Sequence, residues 1–360
     1  MRGDHAQTSA MAIEPHLIAP HSGYTGEMAR PARTSSISGR ILTSTAHLDS
    51  VEVRIVVCIP TFRRPASLRR TLQSLVDQRA RFRFGCVIVE NDSGDREGSA
   101  VAAEFIESGL LLGFCVLEPR PGNCMAINCA FTAAREVFPH ARYLAMIDDD
   151  EFASGEWLAR LVETAERSGA DVVGGPVFPQ FELPSKAHLA KHPSFQPPYD
   201  SSGKVPIIYG TGNCLIRQTV FERLETPLFD LSFNYLGGGD TDFFSRCRAI
   251  GLQFYWDQSA AIFECVPLRR TRLSWLAARG LRIGAINYLV ERKRAKNTSR
   301  RIAIACKSLA ILCLSSLRVP VLLVTSPVTV AAIHPLLVAC GRLLASLGAV
   351  PEQYRNPEQN

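Results

Sequence analysis

The sequence predicts an α/β fold with a doubly wound, mostly parallel sheet. Apolar strand-like runs alternate with amphipathic helical segments from residue 53 to about residue 178, and polar turns follow the strands. The chain has 360 residues, 46% of them hydrophobic and 21% charged, which is the composition of a globular protein and not of a disordered one or a fibre. A chain of this size can bury a core without disulfides.

The alternation begins with a continuous β-branched run at 53–59, typical of a strand that is buried on both faces. After about 178 the regular alternation stops, and residues 179–206, with six prolines, are predicted to be loop. The predicted elements are strand 53–59, helix 65–78, strand 84–90, a further helix, strand 112–117, helix 122–138, strand 143–147, strand 207–216, helix 240–249, one long strand 253–264 and helix 273–290.

The basic residues are concentrated in one segment. The net charge is +6, but residues 269–301 hold eleven Lys or Arg and only one acid, Glu291, so the rest of the chain sums to −4. A uniformly basic nucleic-acid binder is therefore excluded, and the segment suits an anionic membrane surface. The eleven cysteines form no CxxC pair, which favours a reducing compartment. The basic segment just before the apolar stretch favours the cytoplasmic face of the plasma membrane, where it would meet anionic headgroups.

The two ends of the chain differ from its middle. Residues 1–50 lack apolar periodicity and are predicted to be a disordered arm, and residues 351–360 a polar tail. Residues 291–350 are predicted to form basic and hydrophobic membrane-associating helices, a C-terminal extension of the fold. Prolines interrupt the apolar stretch 302–350, which leaves three alternatives open. The helices span the membrane, lie in its interface or form a re-entrant hairpin, or pack as a buried helical subdomain.

Three adjacent aspartates, Asp148, Asp149 and Asp150, follow the predicted strand 143–147. Residues i and i+2 of an extended segment point to the same side, so Asp148 and Asp150 are candidates to share one divalent cation, Mg²⁺ or Mn²⁺. The alternative is a solvated acidic turn that caps the next helix. Glu90 and Asp92 close another strand at the same edge of the sheet, where carboxylates can accept hydrogen bonds from a base or a ribose. We include Asp92 and Asp149 among the donor-binding candidates.

Nine short motifs follow one another along the chain. They are VVCIPTFRRP (56–65), VIVENDSGD (87–95), PRPGNCMAINCA (119–130), YLAMIDDDE (143–151), WLARL (157–161), VVGGPV (172–177), GTGNCLIR (210–217), GGGDTDFF (237–244) and ECVPLRRTRLSWL (264–276). In this order and spacing they resemble the motifs of GT-A-fold family-2 glycosyltransferases. The resemblance covers about residues 53–290, roughly two-thirds of the chain, and is closest to the bacterial exopolysaccharide branch of succinoglycan-type glucosyltransferases. It implies that residues 51–290 form a GT-A domain, a Rossmann-like, doubly wound, mostly parallel sheet.

The resemblance implies transfer of a sugar from a nucleotide-sugar, usually UDP-linked, with inversion at the anomeric carbon. The acceptor would be a glycan, expected to be lipid-linked. Thr61 and Glu90 match positions that hold the nucleoside, Asp148 matches the first aspartate of the DxD element, near the ribose or the metal, and Asp150 matches the aspartate that binds the metal with the diphosphate. Asp240 matches the catalytic base, which takes the proton of the acceptor hydroxyl.

The chain departs from the family pattern at two positions. Ile127 stands where an arginine is usual, and Gly239 stands where an acid usually precedes the base. These departures keep open the alternative of a catalytically inactive scaffold or sugar-binding subunit. A nicotinamide-dependent dehydrogenase is excluded because no GxGxxG follows the first strand.

Five further residues are weaker candidates for contacts with acceptor or diphosphate. Asp242 follows the predicted base by two residues and either orients the acceptor or serves as an acid at a helix N-terminus. Glu264 either approaches the metal–diphosphate region, or an arginine there, or forms a structural ion pair. Arg269, Arg270 and Arg272 either meet the diphosphates of donor or lipid acceptor or face lipid headgroups.

Overall fold

The core of the protein is a sheet that has nine strands in the part of the chain described by the computed structural model, residues 40–48, 51–325 and 329–350. Strands β4, β3, β2 and β5 run parallel to one another and form one half of the sheet. The edge strand β1 pairs antiparallel with β4. These strands are β1 (Arg40–Ser44), β2 (Ile55–Thr61), β3 (Phe84–Glu90), β4 (Gly113–Leu117) and β5 (Tyr143–Met146).

The other half of the sheet is mixed. Strand β10 is antiparallel to both β5 and β7, whereas β11 is parallel to β7, and β9 closes the edge. A second sheet, of three strands among the described residues, has the order β6-β12-β8 and lies beside the acidic turn. The strands are β6 (Glu151–Ala153), β7 (Val172–Gly174), β8 (Val177–Phe181), β9 (Gly203–Val205), β10 (Cys214–Arg217), β11 (Phe254–Trp256) and β12 (Ile262–Val266).

Helices cover both faces of the sheet. The central strands are buried on both sides because alternate residues pack in different clusters: Val56 and Cys58 contact one cluster with Phe131, and Ile55 and Val57 contact the other. The helices are α1 (Pro65–Val76), α2 (Glu97–Glu107), α3 (Asn123–Val137), α4 (Trp157–Ser168), α5 (Thr219–Glu222), α6 (Gly239–Ala249), α7 (Leu273–Lys293), α8 (Thr298–Thr325) and α9 (Thr329–Ser346).

Most sequence-based elements of the parallel half are confirmed within a few residues. The prediction of one long strand at 253–264 is wrong, because the chain turns after Trp256 and β12 joins the second sheet. Strand β1 falls inside the predicted arm of residues 1–50; residues 1–39 and the predicted tail, 351–360, lie outside the described residues. Residues 179–206, predicted to be loop, contain the end of β8, a 3-10 helix at Pro184–Lys191 and β9.

Helices α9 and α7 pack so closely that their backbones are in direct contact. A Cβ at Gly341 would overlap the carbonyl oxygen of Leu281, and one at Gly284 would overlap that of Val338. Glycine on both helices therefore permits this close approach. The predicted boundary at residue 290 falls inside α7, and the α7–α9 pair continues the packed structure across it.

Glu291, the one acid of the basic segment, ties the three C-terminal helices together. Its carboxylate accepts hydrogen bonds from Arg342 on α9, with a shortest distance of 2.8 Å, and from Lys307 on α8, at 2.7 Å. The Arg342 side chain is only 4% exposed, whereas the Glu291 side chain is 32% exposed, so it is the arginine charge that is removed from solvent. A buried charge of this kind needs its partner, which makes the position of α8 and α9 relative to α7 specific.

Helix α8 leaves most of its apolar surface uncovered. It has the length and composition to cross a membrane, with a mean hydropathy of 1.9 over an 18-residue window of which 11% is buried. Leu317 is 75% exposed and Val324 is 86% exposed. Exposed apolar surface of this extent is typical of an interaction site for a membrane or a protein.

We expect Gly341→Ala to destabilise the protein, because the new methyl group must push α9 away from α7. Overpacking of this kind costs about 1–3 kcal/mol. Thermal unfolding of the detergent-solubilised protein measures the change. The control is Gly155→Ala, where the nearest atom to the new Cβ lies at an ordinary 3.6 Å, and an equal melting temperature for both variants would contradict the close packing.

Candidate active site

The acidic turn Asp148–Asp150 lies where β5 ends, beside the carboxyl end of β2. The side chain of Asp149 turns toward β2, where its Oδ2 accepts hydrogen bonds from the Thr61 hydroxyl at 2.9 Å and the Phe62 amide at 3.3 Å. The structure thus brings together Thr61 and the aspartates, as expected for the carboxyl edge of a parallel sheet.

Two arginines hold the acidic turn. The Nη1 of Arg64, just before α1, lies 3.0 Å from a carboxylate oxygen of Asp149 and 3.0 Å from one of Asp150. Arg270 lies 3.1 Å from Asp150 and also pairs with Glu264 on β12. Arg270 was expected from the sequence as a possible diphosphate contact, whereas Arg64 was not, and chain spacing alone does not show that the two meet.

Glu151 is a fourth consecutive acid that the sequence analysis did not assign to the site. It is buried, its Oε2 accepts a hydrogen bond from the Asp148 amide at 2.8 Å, and it pairs across the second sheet with Glu264. Gly212 lies against its carboxylate, where a Cβ would come within 2.5 Å. Gly212, the second glycine of the motif GTGNCLIR, is the sequence feature that could have indicated the close approach of another side chain at this position.

Burial and mutual repulsion raise the pKa values of these acids. For Asp148, burial is the main cause, Asp150 and then Asp149 add repulsion, and the pKa rises to about 8. Burial likewise raises the pKa of Asp149, Glu151 and Glu264. A group of carboxylates that resists ionisation is a place where a cation is strongly favoured.

Glu90 and Asp92 close β3 at the same edge, but both are engaged by their own loop. Glu90 is fully buried and accepts hydrogen bonds from the amides of Asp92 at 3.0 Å and Ser99 at 2.8 Å. Asp92 pairs with Arg63 at 3.0 Å. Burial raises the pKa of Glu90. These two carboxylates shape the loop that borders the site.

Asp240 lies in the first turn of α6 and is partly buried. Gly237 and Gly238 have φ values of 84° and 86°, a left-handed conformation that turns the chain into the helix. The thiol of Cys214, at the start of β10, has its pKa raised mainly by burial, with further contributions from Asp148 and Asp240. Both Asp240 and the acidic turn therefore lie near the Cys214 thiol.

The segment that leads to Asp240 is anchored to α3. Asn128 exchanges two hydrogen bonds of 2.8 Å with the backbone of Phe229. Asn234 accepts from the Met125 amide at 3.2 Å and donates to the Pro121 carbonyl at 3.0 Å. These amide side chains fix the start of α6 relative to the sheet.

The two departures from the family pattern both lie in tightly packed surroundings. Ile127 is 1% exposed and belongs to the core between α3 and the sheet. A Cβ at Gly239 would come within 2.7 Å of the Cys124 sulfur and 3.1 Å of the Phe229 ring. Neither position has room for the larger charged side chain that is usual in the family.

Among the described residues, Asp242, Arg269 and Arg272 form no ion pair with the acidic turn, whereas Arg270 does. Asp242 is buried and pairs with Arg246 at 2.9 Å and Lys293 at 2.8 Å, so it joins α6 to α7. Arg269, which lies in the same 3-10 helix as Arg270, and Arg272, which follows that helix, are exposed. Burial lowers the pKa of Arg269, and Arg64 and Asp150 also influence it, so Arg269 is nevertheless near the acidic turn.

The acidic turn fits a divalent cation by its chemistry. Its donors are carboxylate oxygens, the ligands that Mg²⁺ and Mn²⁺ prefer. Within residues 40–48, 51–325 and 329–350, no group of three or more His, Cys, Asp or Glu side chains is arranged as a complete metal site. The chain would therefore hold the cation through few side chains, chiefly Asp148 and Asp150, and leave positions for oxygens of a ligand.

Known proteins are similar to this chain in sequence and in fold. The model of Glycosyl transferase family 2 matches residues 56–225. The succinoglycan biosynthesis protein ExoM of Rhizobium meliloti (strain 1021) is 32% identical over 284 residues, which cover 74% of this chain and 87% of the relative.

Among solved structures, the mannosyltransferase PcManGT of Pyrobaculum calidifontis, in complex with GDP-Man and Mn²⁺, matches with a TM-score of 0.51 and 17% identity, covering 86% of this chain and 79% of that one. S. aureus TarS 1-349 in complex with UDP matches with a TM-score of 0.47 and 12% identity over 82% and 92% of the two chains. The mannosyltransferase shares the arrangement of sheet and helices seen here. On the evidence of the sequence relative and the family model, the chain belongs to glycosyltransferase family 2.

Proposed function

We propose that the protein transfers a hexose from a nucleotide-sugar, UDP-linked by the family resemblance, to a lipid-linked glycan acceptor with inversion at the anomeric carbon. The observation that carries the proposal is that two different acidic groups, the Asp148–Asp150 turn and Asp240, both lie near the Cys214 thiol at the start of β10. One group suits a cation and a diphosphate, and the other is available to accept a proton.

Each group has a distinct role in the transfer. Asp148 and Asp150 would hold Mg²⁺ or Mn²⁺, which when bound neutralises negative charge on the departing diphosphate. Thr61, with Glu90, Asp92 and Asp149 around it, forms the donor side of the edge. Asp240 accepts the proton of the acceptor hydroxyl as that oxygen attacks the anomeric carbon. A single displacement of this kind needs no enzyme nucleophile.

Arg64 and Arg270 have a second task in this proposal. In the absence of donor they pair with Asp149, Asp150 and Glu264 and so reduce the repulsion within the turn. With a cation held by the turn, Arg64 and Arg270 would turn to phosphate oxygens, which suit their fork of donors.

The inactive-scaffold alternative rests on Ile127 and Gly239, and the packing accounts for both. Ile127 fills core space, and the Cys124 thiol lies where a side chain at position 239 would start. Asp240 also lies near Cys124, since its charge adds to burial in raising the pKa of that thiol to about 12. The missing acid is therefore a local change in packing that leaves the base in place.

The acceptor side follows from the relative and from α8. The relative's name refers to succinoglycan biosynthesis, which supports a role in exopolysaccharide or cell-surface glycan synthesis. The uncovered apolar face of α8 and the neighbouring basic residues support attachment to the cytoplasmic face of the plasma membrane. A lipid-linked acceptor would be presented at that surface.

The function is tested by incubating the purified protein with UDP- and GDP-sugars and Mn²⁺ and measuring nucleotide release. We expect release from one donor in preference to the others, and loss of release in EDTA. A protein that releases nucleotide from none of them would be the scaffold and not the enzyme.

Asp240→Asn keeps the shape of the side chain and removes its ability to accept a proton. We expect sugar transfer to fall by about a hundredfold or more, the usual contribution of a general base, while nucleotide binding measured by calorimetry is retained. Asp242→Asn is the matched control, because Asp242 pairs with Arg246 and Lys293 and should affect stability more than transfer. The opposite pattern would assign the base to Asp242.

Asp148→Asn removes a carboxyl group whose charged form the folded protein tolerates poorly. The pKa of Asp148 is about 8 in the folded protein, so folding takes up a proton between about pH 4 and pH 8, and wild-type stability falls as pH rises through that window. In EDTA the variant should melt at a higher temperature than the wild type at pH 8, with little difference at pH 4. Mn²⁺ should raise the melting temperature of the wild type only.

The control for this variant is Asp200→Asn, an exposed carboxylate far along the chain from the acidic turn. It should show no pH-dependent difference from the wild type. Equal behaviour of the two variants would mean that Asp148 is an ordinary solvated carboxylate.

Polar substitution of the exposed face of α8 should release the protein from membranes. Leu309, Leu317 and Val324 are 56%, 75% and 86% exposed, and a triple change to glutamine removes apolar surface without touching the α7–α9 contact. We expect the wild type to stay in the membrane pellet at high salt, because apolar insertion is not screened, and the triple variant to appear in the supernatant. The control changes three exposed leucines elsewhere, Leu110, Leu183 and Leu268. A wild type that is soluble without detergent would contradict membrane attachment.

A further inference from the structure

A cavity of about 580 Å³ lies between the segment that precedes α6 and the junction of α7 and α8. Three basic residues from the junction, Arg292, Lys293 and Arg301, line it. Phe233 and Tyr235, from the segment that precedes α6, form the opposite wall. The cavity is separate from the acidic turn, and nothing in the proposed transfer step described above uses it.

The three cations in the cavity differ in whether a counter-ion lies near them among the described residues. Lys293 is neutralised by Asp230 at 2.6 Å and Asp242 at 2.8 Å. Within the part of the chain that the structure describes, Arg292 and Arg301 form no ion pair. Two guanidinium groups that border one cavity without a carboxylate partner favour an anion with several oxygens.

The cavity lies between the predicted base and the apolar helix. Lys293 connects its wall to Asp242, two residues beyond Asp240 on α6. On the other side, Arg301 is followed at once by Ile302, which is 59% exposed at the beginning of the apolar face of α8. A ligand in the cavity would thus have the base near one end and an apolar surface near the other.

We propose that this cavity binds the phosphate or diphosphate group that joins the lipid and the saccharide of the acceptor. Arg292 and Arg301 hold the phosphate oxygens, the apolar face of α8 is next to the lipid chain, and the saccharide extends past Phe233 and Tyr235 toward Asp240. The inference rests on the proposed function, since it assigns the acceptor subsite of that reaction. A lipid headgroup offers the same phosphate chemistry, so the experiment must separate the two sources.

Farnesyl diphosphate serves as the probe, because it carries a diphosphate and a short isoprenyl chain. It is titrated calorimetrically into the full chain in detergent with EDTA, so that no cation assists binding at the acidic turn. We expect the double variant Arg292→Gln/Arg301→Gln to bind it about tenfold more weakly or worse, the effect of losing charged hydrogen bonds. Asp148→Asn should bind it as the wild type does, which shows that the probe does not occupy the donor site.

The matched control is Arg294→Gln/Arg300→Gln. It removes the same two charges from the same basic segment, but neither residue lines the cavity. We expect its affinity for farnesyl diphosphate to remain within about twofold of the wild type, because remote exposed charges contribute little. Equal losses in the two double variants would overturn the subsite, since a diffuse basic surface would then explain binding.

Flotation with phosphatidylcholine vesicles that contain phosphatidylglycerol separates the acceptor from the headgroup. We expect both double variants to weaken vesicle binding alike, since headgroup attraction depends on total charge. If the cavity variant alone loses vesicle binding and keeps the probe, the cavity is a headgroup site and the proposal is wrong.

Failure of the proposed function has a different signature. Donor hydrolysis in the presence of Mn²⁺ uses no acceptor, so the cavity variant should release nucleotide as the wild type does. A wild type that releases none, but binds the probe only with Arg292 and Arg301 intact, would contradict the enzyme and leave the anion site standing.

Discussion

The structure depends on how it accommodates mutually repelling carboxylates at one edge of the sheet. Asp148, Asp149 and Asp150 follow β5 directly, and Glu264 is brought beside them by pairing of the second sheet. Burial and mutual repulsion oppose the ionisation of Asp148, Asp149 and Glu264 and raise their pKa values. Arginines from two distant segments, the residue before α1 and the 3-10 helix before α7, form ion pairs with Asp150. The repulsion among these carboxylates lowers the stability of the folded protein and also favours the binding of a cation at this edge. The stability of the chain is thereby linked to its proposed chemistry.

Helix α7 connects the acidic turn to α6 and to the C-terminal helices. The 3-10 helix before it holds Arg270 at the acidic turn, whereas its last residue, Lys293, pairs with Asp242 on α6. Between these ends, glycines on α7 and α9 bring the two backbones together, and Glu291 binds both α8 and α9. The exposed apolar helix is therefore fixed relative to the base and to the acidic turn. Membrane attachment through α8 would hold the site at a set distance from the bilayer, which suits an acceptor that is confined to the same surface.

Prediction of the fold from the sequence succeeded where a local pattern and the tertiary structure agree. The β-branched run that became β2 and the leucines of α1 pack as their periodicities indicate, because both faces of the parallel half are covered by helices. It failed after residue 253, where one apolar run supplies two strands in different sheets. Hydrophobicity reports burial but not the partner of a strand, and the turn after Trp256 is decided by pairing with β7 and β8.

The sequence by itself determined that acids follow the strands of an α/β sheet, that one helical acid, Asp240, stands apart from them, and that the C-terminal segment is apolar behind a basic stretch. Only the tertiary structure decided which charges meet. It placed Arg270 at Asp150 while its neighbours Arg269 and Arg272 remain exposed, and it committed Asp242 to ion pairs with α7. The physical reason is that strand register and helix packing set the direction of each side chain, and a difference of one residue changes the face on which a charge lies.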